Sequence, residues 1–169
     1  MEIINTLLDA ALKARKNSYC PYSGFAVGAA VMDDKGNIYS GCNVENAAYG
    51  DTVCAERVAM FKAVSEGASN LKYILVVGSP KGDAITDYAY PCGTCRQVMS
   101  ELMDADAVIY VAGPEGDIKE YSLKRPARRS AIPPRQRLSS MQRTISWAMT
   151  RSCPTSSALM RFPLIPTER

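Results

Sequence analysis

Three cysteines in two short phrases constrain this chain more than any other feature: Cys54-Ala55-Glu56-Arg57, and well downstream Pro91-Cys92-Gly93-Thr94-Cys95. They supply three potential thiolates and one carboxylate, and the chain contains no histidine. Any transition-metal site must then be built from sulfur or carboxylate, and a thiolate-rich set selects zinc or an iron-sulfur cluster over magnesium or calcium. Structural zinc sites are closed by four protein ligands, whereas catalytic ones keep a position for water. Three cysteines without a fourth partner therefore suggest an open ion.

Glu56 lies two residues from Cys54, where a carboxylate can take a proton from activated water and hand it on. A lone CxxC also serves redox exchange and zinc ribbons, so Cys92 and Cys95 carry weight only together with Cys54 and Glu56. Cys20, Cys42 and Cys153 read as small buried or incidental residues.

The 169 residues fit one domain with an appendage. The first residues lack the basic stretch and apolar run of a secretory signal, and no apolar stretch approaches the ~20 residues that span a bilayer. The six cysteines are then expected as reduced thiols and metal ligands in the cytoplasm rather than as a disulfide framework.

Charge divides the chain near Lys124. Residues 1–124 carry 11 Lys and Arg against 16 Asp and Glu, whereas residues 125–169 carry 9 Arg against the single Glu168. The second stretch also holds six of the ten prolines and shows neither helical nor alternating periodicity. A basic arm for nucleic acid is one reading of it. Arginine without lysine, scattered among Ser, Thr and Pro, fits better a disordered or out-of-frame sequence. The folded unit is expected to span residues 1–124.

Within that unit, Ile3, Ile4, Leu7, Leu8, Ala11 and Leu12 recur at three- and four-residue steps, predicting an amphipathic helix over residues 3–16. Residues 25–32 and 38–42 flank the turn chemistry of Asp33-Asp34-Lys35-Gly36-Asn37 and predict a hairpin. A helix over 54–66, stopped by Gly67, a strand over 71–78, a helix over 92–103 and a strand over 107–112 follow. The alternation implies parallel neighbours in the sheet and a three-layer α/β/α domain with a mixed central sheet. Both cysteine phrases then open helices, where unpaired backbone N–H groups and the positive end of the helix dipole ease thiolate formation. Three thiolates on one divalent ion leave about one negative charge and blunt its acidity. Arg57, beside a ligand, is expected to donate to the sulfurs and withdraw that charge. Met60, Met99 and Met103 read as core or subunit interface.

The phrases C-A-E-R and P-C-G-T-C-R-Q resemble the signature of zinc-dependent nucleobase deaminases. More narrowly, residues 21–30 (PYSGFAVGAA) and 41–49 (GCNVENAAY) are similar to the two substrate-side motifs of the small homotetrameric cytidine deaminases. The resemblance covers about residues 5–122, and cysteine rather than histidine in the first ligand position favours free nucleosides. It implies one zinc ion per subunit held by Cys54, Cys92 and Cys95, with Glu56 shuttling protons during deamination of cytidine and 2′-deoxycytidine, a step of pyrimidine salvage. It further implies Phe25 stacked on the pyrimidine, Asn43 and Glu45 on the ribose hydroxyls, and the backbone of Ala55 on the base carbonyl. The loop from Ala47 to Tyr49 would reach a neighbouring subunit's site. Family members continue past the strand matching residues 118–123 into a short helix and a closing aromatic residue, and nothing after Lys124 matches this, Trp147 and Phe162 included.

Two other readings stand beside this one. A deaminase of the blasticidin S type shares the cysteine phrases, and a structural zinc module with a basic nucleic-acid-binding tail would share the metal. Glu56 separates the last from an enzyme, since a structural module tolerates its loss.

Overall fold

The computed structural model describes residues 2–123, all within one compact unit, Met1–Pro126. The tail expected over residues 125–169, with Cys153, Trp147 and Phe162, lies outside the described residues. Helix α1 (Glu2–Arg15) leads into strands β1 (Phe25–Asp33) and β2 (Ile38–Cys42), then helix α2 (Ala55–Ser65) and strand β3 (Leu71–Pro80). Helix α3 (Gly93–Leu102), strand β4 (Met103–Ala112) and strand β5 (Ile118–Ser122) complete it. The five strands form one sheet in the order β2-β1-β3-β4-β5.

Alternation along the inner strands sorts the core into two layers, because successive side chains leave a strand on opposite faces. Ala30 and Met32 of β1, with Leu75 and Val77 of β3, meet Leu7 and Ala11 of α1. Their neighbours Ala29, Val31, Ile74 and Val76 face Ala59, Met60 and Ala63 of α2 and Cys95 and Met99 of α3. A sheet covered on both sides needs apolar residues in both registers, which is why β1 and β3 read as nearly unbroken apolar runs. The three-layer α/β/α arrangement with a mixed sheet is the one expected, and Met60, Met99 and Met103 are core. Helix α1 lies so close to β1 that a Cβ on Gly28 would come within 2.0 Å of the Ala11 carbonyl oxygen.

Among the described strands, β3 and β4 are parallel neighbours, as the alternation implied, while β1 pairs antiparallel with both β2 and β3. The hairpin inserts β1 between β2 and β3, so the crossover through α2 joins strands that are not neighbours. Two expectations need correction. Strand β4 begins at Met103, four residues before the β-branched run, because Met103 already pairs with Leu71 across a register break. Cys54 and Cys92 are capping residues with extended backbone rather than first helical residues.

The register also fixes one functional end of the sheet. Phe25 at the start of β1 pairs with Pro80 at the end of β3, and Cys42 at the end of β2 pairs with Gly28. The carboxyl ends of β2, β3 and β4 therefore lie together, and the connections into α2 and α3 leave from there. Arg15 braces this end: its Nε donates to the Ala26 carbonyl at 3.2 Å and its Nη2 to the carbonyls of Pro80 and Asp83 at 3.0 and 3.1 Å. Nothing in the helical pattern around Arg15 pointed to that role.

Candidate metal centre and substrate cavity

Capping positions are where a short side chain can satisfy backbone donors that a helix leaves unpaired. Cys92 does so, its sulfur accepting from the Cys95 N–H at 3.4 Å. Cys54 occupies the same position on α2. With both helices on one face of the sheet, the two caps and the first turn of α3 meet. The sulfurs of Cys54, Cys92 and Cys95 all lie within 4.8 Å of one another, with Cys54 and Cys92 4.0 Å apart.

A tetrahedral ion with metal–sulfur bonds of ~2.3 Å would hold its sulfurs ~3.8 Å apart, so the spacing fits zinc. Among the described residues, no carboxylate joins this cluster, Glu56 included. Three protein ligands and a vacant fourth direction are the pattern of a catalytic rather than a structural ion.

Hydrogen bonds within the cluster divide its protons unevenly. The bond from Cys95, with smaller help from Arg57 and Cys92, outweighs burial and brings Cys54 down to about 5. Cys95 is pushed up, first by that same bond to Cys54 and then by burial. Arg57 reaches the Cys54 sulfur through Nη2 at 3.9 Å and is anchored by the Thr52 carbonyl at 2.6 Å. Its Nε is buried without a hydrogen-bond partner. Glu56 is only 4% exposed, and burial pushes its carboxyl above the ordinary carboxylate range.

Beside the sulfurs lies a cavity of about 200 Å³ whose walls include Phe25, Asn43, Cys54, Ala55, Glu56 and Cys92. Five widely separated stretches of chain thus supply one small, mostly apolar space with a few polar groups, the usual form of a small-molecule site. Phe25 presents a partly exposed ring there. Ala55 opens α2, where N–H groups lack partners within the helix. Thr52, Val76, Ala89 and Tyr90 also line the cavity and were not singled out from the sequence.

Asn43 and Glu45 are both buried and already engaged. The Asn43 Oδ1 accepts from the Val27 N–H at 2.8 Å and from the Ser18 hydroxyl, while Nδ2 donates to the Phe25 carbonyl at 2.9 Å. Glu45 accepts from the Tyr22 and Ser23 N–H groups at 2.9 and 3.2 Å and from the Ser23 hydroxyl. These bonds tie down the segment that carries Phe25. Glu45, Ala47 and Tyr49 are not among the cavity walls, and Tyr49 stands 70% exposed.

An open three-sulfur centre with a buried carboxylate at a helix start defines a zinc-dependent hydrolytic site. A family model described as the cytidine and deoxycytidylate deaminase zinc-binding region matches residues 1–112, and the chain belongs to this family. A cytidine deaminase of Sporosarcina psychrophila is 43% identical over 120 residues, covering 71% of this chain and 85% of the relative. One of Halalkalibacterium halodurans is 46% identical over 117 residues, covering 69% and 85%. The crystal structure of cytidine deaminase from Burkholderia pseudomallei superposes with a TM-score of 0.64 at 40% identity, over 70% of this chain and 91% of that one. The metal of the family's zinc-binding region is the ion that Cys54, Cys92 and Cys95 are positioned to hold.

Proposed function

We propose that this protein hydrolyses the exocyclic C4–N bond of cytidine and 2′-deoxycytidine, giving uridine or 2′-deoxyuridine and ammonia. The observation that carries this reading is Glu56, a buried carboxyl in the wall of the same cavity as Cys54 and Cys92. Zinc, when bound, supplies Lewis-acid activation of a water molecule. Glu56 takes a proton from that water and passes it to the pyrimidine N3 as the water oxygen bonds to C4; it then takes the second proton from that oxygen and gives it to the amine, so that the C4–N bond breaks and ammonia leaves. A carboxyl raised by burial holds a proton well enough to deliver it, which suits an acid–base shuttle.

Phe25 offers its ring to the base plane, since aromatic faces accept any flat heterocycle. The backbone N–H of Ala55, at the first position of α2, is suited to the base carbonyl. Asn43 and Glu45 support recognition of the sugar in two ways. They fix the segment bearing Phe25, and each keeps residual capacity: one amide hydrogen on Asn43 and one of about four carboxylate acceptor sites on Glu45. A hydroxyl, which both donates and accepts, matches that pair. Arg57 draws charge from the Cys54 sulfur along its 3.9 Å contact.

The reading extends to a cytoplasmic homotetramer in pyrimidine salvage, with Ala47 and Tyr49 contributing to a neighbouring subunit's site. Exposed Tyr49, Phe61 and Val64 are apolar surface of the kind subunits cover. Among the described residues, no helix is long and apolar enough to cross a membrane. Sedimentation or light scattering of the purified chain tests the assembly.

Ammonia release from cytidine, followed by the accompanying absorbance change with zinc measured on the same sample, tests the activity. Glu56→Ala should lower turnover by ~10²- to 10⁴-fold, the range for removing a positioned acid–base group, while zinc stays bound. Full turnover in the variant, or metal-free active protein, would remove the mechanism.

A further inference from the structure

Tyr90 bounds the cavity beside the sulfurs, and it also bounds a second cavity of about 600 Å³ lined by Pro91, Arg96, Ile109, Val111 and Tyr121 among others. Tyr90 thus borders two spaces, the second much larger than the first. The ring is carried on the connection over residues 81–92, which forms neither helix nor strand, and is 54% exposed. A side chain so placed would ordinarily swing freely. Here its neighbours fix it.

Tyr90 stacks on Tyr88 with ring centroids 6.0 Å apart and meets Tyr121 of β5 edge-on at 6.2 Å. Lys119 Nζ donates to the Tyr90 hydroxyl at 3.1 Å and lies 3.7 Å from the centre of the Tyr88 ring. Tyr88 is itself pinned, its hydroxyl donating to Asp117. Its ring sits over Gly113, where a Cβ would come within 2.3 Å of it. Stacked and edge-on rings with a cation over one face are each attractive arrangements, and together they leave the Tyr90 ring little choice of orientation. Strand β5 therefore reaches the cavity through this cluster, although none of its residues lines it.

We propose that Tyr90 is a specificity-determining residue, a braced partition that limits the site to pyrimidine nucleosides no larger than cytidine, with Lys119 as its positioning residue. The inference rests on the deaminase reading. A ring held by these neighbours excludes enlarged substrates sterically, and its removal widens the space beside the sulfurs on the side of the larger cavity. A floppy ring would yield to a larger substrate, so the bracing matters as much as the ring.

The test compares kcat/KM for cytidine with that for N4-methylcytidine, 5-iodocytidine and 5′-O-acetylcytidine, using the full chain with zinc and Tyr90→Ala, Tyr90→Phe and Lys119→Met variants. Wild-type activity on cytidine decides the deaminase reading separately from the partition. In Tyr90→Ala, at least one enlarged substrate should gain ~10-fold or more relative to cytidine, the low end of what one extra group costs in a closed pocket. Lys119→Met and Tyr90→Phe each remove the bond between Lys119 and the Tyr90 hydroxyl but keep a ring in place, so both should favour the same substrate to a lesser degree than Tyr90→Ala. Circular dichroism and zinc content report folding, and Tyr90→Leu replaces Tyr90→Ala if the latter fails to fold. An unchanged ranking in a folded, zinc-loaded variant lacking the ring overturns the proposal. So does a Tyr90→Phe shift as large as that of Tyr90→Ala.

Discussion

Replacing Gly78 with alanine should damage substrate binding through Phe25, although Gly78 is not one of the cavity walls. Gly78 sits in β3 opposite Val27, and a Cβ there would lie 2.8 Å from the Phe25 Cε1, 2.8 Å from the Ala89 Cβ and 3.2 Å from the Val27 Cγ2. Carbon atoms pack at ~3.5–4.0 Å, so two neighbours must each retreat by ~0.7 Å or more. All three of those residues line the cavity, so wherever the strain goes, a wall of the site moves. The end of the Phe25 ring yields most easily, because the Phe25 backbone is held by pairing with Pro80 and by the Asn43 amide. Crowding a packed position costs ~1–3 kcal/mol of stability. Loss of a good stacking geometry, at ~0.5–1.5 kcal/mol, corresponds to a rise of ~2- to 13-fold in KM for cytidine with a smaller change in kcat. The assay is steady-state deamination beside urea unfolding, with Gly78→Ala and the double variant Gly78→Ala, Ala89→Gly. Removing the Ala89 methyl vacates one of the two 2.8 Å contacts and should restore part of both losses. A variant that is less stable yet binds cytidine normally would refute the link from Gly78 to Phe25. One unchanged in both respects would refute the steric argument itself.

Two further outcomes follow from polar contacts. Arg57→Ala should keep zinc bound but lower kcat, since the charge it withdraws from Cys54 is then left on the metal centre; metal analysis and kinetics on one sample check this, and unchanged kinetics remove Arg57 from the mechanism. Asp33 is buried, and its carboxylate accepts from the Lys35 and Asn37 N–H groups, at 3.0 and 2.8 Å, and from the Asn37 amide at 2.8 Å. The Asn37 side chain above all holds its pKa below the ordinary value of 3.8, so the stability it contributes is present above that value and lost as pH falls through the lower folded-state pKa. Glu45, held low chiefly by Ser23, acts in the same direction. Unfolding midpoints of wild type and Asp33→Asn should therefore converge as pH falls below ~4, and a gap that stays constant with pH would contradict the assignment.

How much was legible in the sequence depended on whether the signal was local. Helix α1 announced itself because only one of its faces meets the sheet, so its apolar residues recur at helical steps. The zinc centre was equally readable, since two capping cysteines and a third one turn further on are contained in two short phrases. What the phrases did not hold was pairing. A hairpin tells that β1 and β2 are neighbours, but not that β1 will also take the inner place beside β3, which is decided by which apolar faces α1 and α2 cover. The start of β4 was misplaced for a related reason, because Met103 enters the sheet by pairing with Leu71 rather than by any preference of its own.

The cavity walls were the least legible part. The motif around Asn43 suggests contact with the sugar but not that three of its side-chain hydrogen bonds go to residues 18–27 of this chain and hold Phe25 in place. Tyr90, Ala89 and Val76 carry no chemical signature of their own, and become walls only because β3 and α3 bring them to the end of the sheet where the sulfurs meet. Reactive groups are recorded in residue type and spacing, so a motif can expose them. The shape around those groups is recorded in contacts between distant residues, such as Lys119 of β5 holding a tyrosine two residues before a zinc ligand. The metal centre was therefore readable from residue type and spacing and the reaction from the resemblance those phrases carry, while the shape of the site needed the fold.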